Sequence, residues 1–125
     1  MIKYYKPGDI GIDAVTSTTT SSAIPIEGAK KVSFYLQRAA HTSGTTTFTV
    51  TGSVDGVNFV ALNNIVSHVT NTNAQTVTRV ASVAPSGNAT ALASLDLEYF
   101  CLKAIKVVAT IATDGNGSAT VAVEF

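Results

Sequence analysis

Apolar and polar residues alternate with a period of two through much of this chain, most clearly over Thr45 to Leu62, TTTFTVTGSVDGVNFVAL. Thr47, Thr49 and Thr51 fall on one face, and Phe48, Val50 and Gly52 on the other. That pattern marks a half-buried strand. Asp55-Gly56 reads as a two-residue hairpin loop, because Asp-Gly tolerates the positive φ of a type I′ turn. With that loop, Val54 faces Val57, Gly52 faces Phe59 and Val50 faces Ala61. Phe48, Val50, Phe59 and Ala61 then share a face, and the Phe59 ring covers the gap at Gly52. Asn58 completes the turn.

Two further strands are equally plain. Lys30 to Arg38 places Val32, Phe34 and Leu36 inward, with Lys31, Ser33, Tyr35 and Gln37 outward. Leu102 to Ile111 places Ile105, Val107, Ala109 and Ile111 on one face. Asp114-Gly115-Asn116-Gly117 is a turn, and Ser118 to Phe125 closes the chain with Val121, Val123 and Phe125 inward. The C-terminus is expected to be a fixed strand. Weaker signals lie between these elements. Ala23 to Ile26 is apolar, and Pro25 restricts it to an edge or a strand end. Ile65, Val66 and Val69 suggest a short strand, Thr70 to Asn73 a polar turn, and Gln75 to Val83 a strand of poor alternation. Pro85 to Asn88 is a loop. Ala89 to Ser94 fits helix or strand, and Ser94 to Glu98 fits one helical turn with Ser94 as its N-cap.

The first residues stand apart. Residues 1 to 16 form an N-terminal arm, with a first strand over Asp9 to Thr16, and residues 17 to 125 form a single domain. Ile2, Tyr4, Tyr5, Ile10 and Ile12 are the candidate partner contacts on this arm. It either folds back on its own domain or docks on a neighbour. Seven to nine short strands with Gly, Asn and Asp turns predict an all-β fold, an antiparallel β-sandwich of jelly-roll or immunoglobulin-like type.

Composition narrows the partners. Of 125 residues only 13% are charged, and the net charge is zero. Nucleic-acid binding needs clustered Lys and Arg, so that class is not expected, and an anionic membrane is disfavoured likewise. Low net charge and a Thr-rich surface favour association with other subunits. The N-terminus lacks the continuous apolar stretch of a secretory signal, so synthesis in the cytoplasm is expected. Cys101 is the lone cysteine, lies between Phe100 and Leu102, and reads as a small buried hydrophobe.

Candidate chemistry is sparse. His41 and His68 lack partners at metal-ligand spacing, and one cysteine completes no zinc site. No nucleophile elbow occurs among the serines. Asp55-Gly56-Val57-Asn58 and Asp114 to Gly117 are oxygen-rich, but turn chemistry accounts for both. Neither catalysis nor a cofactor or metal is expected.

The Ser53-x-Asp55-Gly56-x-Asn58-Phe59-x-x-Leu62 hairpin, followed later by AIKVVATI, a Gly-rich turn and a terminal SATVAVEF strand, resembles small β-sandwich virion proteins of tailed bacteriophages. The likeness is greatest to capsid decoration, or cement, proteins, and it runs from Lys30 to Phe125. It implies a structural protein that binds the outside of a head lattice. Its partners would be the major capsid protein or other virion subunits, in a homo-oligomer such as a trimer. The virion is the implied location. The hairpin is also similar to that of discoidin-like carbohydrate-binding sandwiches, where Trp often stands at the position of Phe59. This chain has no Trp. A carbohydrate-binding or adhesin module is the alternative, for which exposed aromatics such as Tyr35 with Tyr99 would form the platform.

Overall fold

The computed structural model describes residues 1–70, 75–98 and 100–125, with backbone alone at 68–70 and 75–78. Most of the polar turn read at Thr70 to Asn73, the His68 side chain and Tyr99 lie outside the described residues. In chain order the elements are β1 (Ile2–Tyr5), α1 (Pro7–Ile10), β2 (Thr19–Thr20), β3 (Ile24–Pro25), β4 (Lys31–Ala39) and β5 (Thr45–Ser53). There follow β6 (Val60–Ala61), β7 (Ile65–Thr70), β8 (Gln75–Val80), β9 (Thr90–Leu95), β10 (Ala104–Ala112) and β11 (Asn116–Glu124).

These strands form two antiparallel sheets, as the alternation predicts. One has the order β1-β11-β4-β9-β7-β8. The other has the order β2-β10-β5-β6, with β3 also paired to β10. The inward sets of the three plain strands meet in the core: Val32, Phe34 and Leu36 with Phe48 and Val50, and with Ile105 and Val107, are all buried. Each such side chain contributes roughly 1.5–3 kcal/mol on leaving water. Pro25 sits at an edge, where its missing N–H costs no ladder bond. Between β2 and β3 the edge is kept by Ser21, whose N–H donates to the Val107 carbonyl at 2.8 Å. Its hydroxyl oxygen accepts the Val107 N–H at 2.9 Å.

Three local expectations are corrected. The Asp55-Gly56 loop is longer than two residues, for β5 ends at Ser53 and β6 begins at Val60. The register pairs Thr51 with Ala61 and Gly52 with Val60, one step from the expected pairing. Gly56 has the positive φ expected of it, but Asp55 does not, so the turn is not type I′. The cause is the Asp55 carboxylate. Its Oδ1 accepts the N–H groups of Val57 and Asn58, both at 2.8 Å, and holds those residues in the loop. Phe59 therefore does not cover Gly52. Leu62 and Leu102 do, and a Cβ at position 52 would stand 2.9 and 3.0 Å from them. The main partner of β5 is β10, paired from Thr45–Ala112 to Ser53–Ala104.

Asp9 to Thr16 does not form a strand. Pro7 opens a helical turn, the Asp9 carboxylate accepts the Lys6 N–H at 2.8 Å, and Gly11 closes the turn at φ 81°. That is the punctuation of a helix start and stop compressed into six residues. Ser94 to Glu98 is not helical either, because Ser94 and Leu95 end β9, pairing with Ser33 of β4 and Ile65 of β7. Of the two readings left open for residues 1–16, the segment takes the one folded back on its own domain. β1 pairs with β11, Val15 bridges to Gly117, and Ile10 and Ile12 are buried in the core.

Candidate functional site

Six connections cross between the sheets, and four of them mark the two unlike ends of the sandwich. At one end lie the β4–β5 and β10–β11 connections, and at the other the β3–β4 and β9–β10 connections.

The first end is a polar knot. The His41 side chain is fully buried, with Nε2 2.6 Å from the Thr46 hydroxyl and Nδ1 3.3 Å from Asp114 Oδ1. Asn88 clamps the His41 backbone on both sides: its Oδ1 accepts the His41 N–H and its Nδ2 donates to the His41 carbonyl, each at 3.0 Å. Arg38 donates to the carbonyls of Pro85 and Gly44. The Asp114 carboxylate accepts the N–H groups of Thr42, Ser43 and Gly44. These bonds, led by Thr42 and opposed by partial burial, hold its carboxyl below the usual carboxylate range. The group has the element types of an acid–base–hydroxyl relay. Its hydroxyl, however, belongs to Thr46, which is fully buried and donates to the Asn116 carbonyl at 3.2 Å. No substrate reaches that oxygen, and the knot's evident work is to join three loops.

The second end exposes several large apolar side chains, with Glu27, Asp55 and Lys103 interspersed. Val54 and Val57 in the β5–β6 loop are 70% and 78% exposed, and Phe100 is 51% exposed. A cleft of about 400 Å³ between Ile26, Val54, Leu97, Phe100 and Leu102 adjoins one of about 310 Å³ that shares Val54, Phe100 and Leu102. Cys101 lies here and is exposed, contrary to its expected burial. The reason is that β10 begins only at Ala104, so the strand alternation does not extend back to Cys101. Asp55 Oδ1, with Ser53, fixes the neighbouring loop. Its carboxyl is held well below the usual range by the Asn58 and Val57 amides, then by Ser53.

The third surface is the outer face of the six-stranded sheet. Tyr4 of β1 pairs with Ala122, which pairs with Ser33. One row along, Thr120 pairs with Tyr35, which pairs with Leu92. Tyr4, Tyr35 and Leu92 are exposed and rise on either side of the small residues of β11.

Of the candidate contacts on the N-terminal segment, Ile2 and Tyr4 are exposed on this face. Tyr5 points the other way, packs against the core and has the Lys3 ammonium 5.2 Å from its ring. Ile10 and Ile12 are removed as contacts, because burial in their own domain leaves them nothing to offer a partner. Asp55, Gly56 and Asn58 act together in the turn, with Asn58 Nδ2 2.7 Å from Asp55 Oδ2. The apolar end was missed as a surface, although the valines of SVDGVNFV flank a turn and so announce exposed apolar groups. Among the described residues no cluster of His, Cys, Asp and Glu is suited to a metal ion.

No protein-family model matches the chain, and no curated protein does. The crystal structure of the SPBc2 prophage-derived protein YomS has the same fold. The two superpose with a TM-score of 0.65 over 98% of this chain and 92% of that one, at 10% identity.

Proposed function

We propose that the chain is a structural protein of a tailed-phage particle, of the decoration type, binding the outside of the head and stabilising it without turning over a substrate. The apolar end carries this reading. A domain with low net charge exposes Val54, Val57 and Phe100 at this end, and Val54 and Phe100 line two adjoining clefts that Glu27, Asp55 and Lys103 also border. Large exposed apolar side chains gathered at one end, with a polar rim, mark association surfaces. The rigid polar knot at the opposite end suits a subunit that bears load. Full-length likeness of fold to a prophage-derived protein supports the phage setting. The partners on this reading are the major capsid protein and further copies of the chain, in a homo-oligomer such as a trimer. Weak contacts repeated over a lattice add up by avidity.

The test is quantitative mass spectrometry of density-purified particles from a culture that encodes the chain, followed by antibody labelling of intact particles under the electron microscope. Stoichiometric copies on the head are expected. Label on the tail would move the protein to another part of the particle, and absence from particles would sink the reading. Val57→Asp with Phe100→Asp should leave the fold intact and release the protein from the particle.

A further inference from the structure

The outer face of the six-stranded sheet has a relief that the virion reading does not use. Tyr4 stands on β1, Tyr35 on β4, and β11 runs between them. The two tyrosines are therefore two inter-strand steps apart across the sheet and one row apart along it, about 12 Å between their backbones. Between them β11 presents Ala122 and Thr120, whose short side chains leave a valley of about 140 Å³. Leu92 beside Tyr35 and Ser33 beside Ala122 complete its walls.

The chemistry of this valley selects its occupant. None of the side chains that line it is ionisable at neutral pH. On this face Lys31 and Glu124 are register partners of opposite charge one row away, and Arg79 lies three strands beyond Ser33, paired with Asp96. The lining itself therefore offers no counter-charge to an anionic polymer or a charged peptide. The walls are aromatic and the floor carries hydroxyls. Among the described residues, no hydrogen bond engages the hydroxyls of Tyr4, Ser33, Tyr35 or Thr120, so all four are open to a ligand. The volume is below the roughly 300–1,000 Å³ of clefts that enclose a drug-sized ligand. It suits a single ring resting on the sheet. A pyranose has these properties: neutral, with a C–H face that stacks on the electron-rich face of an aromatic ring and a rim of hydroxyls.

We propose that the valley between Tyr4 and Tyr35 is a binding site for a neutral glycan, with one pyranose ring over Thr120 and Ala122 and the two tyrosines as walls. The site belongs to the isolated chain and does not rest on the virion reading. On a repeating assembly, many weak copies would give strong attachment to a glycan-bearing surface. A single ring in so open a site should bind with Kd on the order of 1 mM.

The experiment is saturation-transfer NMR on the whole chain with glucose, galactose, N-acetylglucosamine and rhamnose oligosaccharides at millimolar concentration, alongside the same sugars displayed on carrier protein. At least one neutral sugar should bind. Tyr4→Ala and Tyr35→Ala should each weaken it about tenfold or more, and Tyr35→Phe only about two- to threefold, since the ring remains. Both alanine variants alter exposed side chains, so unchanged melting curves verify their fold. Glu124→Gln should leave binding unchanged. Absence of binding to every sugar overturns the proposal, as does binding that the alanine variants do not weaken. Loss of self-association in Tyr35→Ala without any sugar binding would assign the valley to a second copy instead, and likewise overturns it.

Discussion

The imidazole of His41 occupies the space that a side chain at Gly115 would need: a Cβ built there would lie 2.5 Å from the ring Cγ and Cδ2. The two residues belong to the β4–β5 and β10–β11 connections, which cross between the sheets at the polar end. Gly115 also has φ 82°, a conformation that costs an L-residue about 1–2 kcal/mol. Gly115→Ala combines that strain with an overpacked contact worth about 1–3 kcal/mol. A loss of about 3 kcal/mol is expected, read as a lower urea midpoint at unchanged m-value. A midpoint within experimental error of the parent would mean that the ring does not hold this position.

The fold has an acid limit. Asp114 is held low by the Thr42, Gly44 and Ser43 amides, Asp55 by the Asn58 and Val57 amides, and Asp96 by the Glu98 amide and then Arg79. Each carboxyl is more acidic in the folded chain than in the unfolded one. Each therefore contributes stability that is fully present above the ordinary carboxylate value, near pH 4, and is lost as pH falls through the folded value. The melting temperature should decline below about pH 4. Asp55→Asn and Asp114→Asn should each melt lower at pH 7 and show a shallower decline in acid. A parallel decline in parent and variants would contradict the assignment.

The long strands were legible because each buries one face. In β4, β5, β10 and β11 the inward set of apolar residues matches the alternation, and a shift of one residue would send it to solvent. What misled were side chains that bond to the backbone. Nothing in alternation shows that the Asp55 carboxylate will keep Val57 and Asn58 in the loop and slip β6 by one step. Likewise Ile10 and Ile12 alternate like a strand, yet Lys6-Pro7-Gly8-Asp9 and Gly11 carry turn chemistry that bends the backbone. The exposed surfaces were less legible still. The valley on the outer face needs β1, β11, β4 and β9 side by side, and that order is set by long-range pairing.

Placement of the first residues separates two isoleucines that the sequence grouped as candidate partner contacts. Ile12 is fully buried, whereas Ile2 is 49% exposed on the edge strand β1. Ile12→Ala should cost about 2–5 kcal/mol through lost transfer energy and a residual cavity. Ile2→Ala should stay within about 0.5 kcal/mol. Equal and small effects from chemical denaturation of both variants would return the segment to the status of a loose arm.

Thr113 is the most strained residue of the polar end. The Asp114 N–H donates to the Ala112 carbonyl at 3.0 Å, and Thr113 between them has φ 75°. That is a γ-turn of the rare, strained form, here with a β-branched residue at its centre. Such backbone strain costs about 1–3 kcal/mol. Thr113 is exposed, so replacing it removes little packing. Thr113→Gly relieves the strain and gives back roughly 0.5–1 kcal/mol to the greater freedom of glycine in the unfolded chain. The balance favours the variant by about 1 kcal/mol, a higher urea midpoint. Because Asp114 and Gly115 follow directly, the strain also aims the carboxylate at His41 and the amides of Thr42, Ser43 and Gly44. A more stable Thr113→Gly whose acid limb is unchanged would show that the turn holds its course without the threonine. A less stable variant would show that the restriction supplied by Thr113 outweighs the strain it bears.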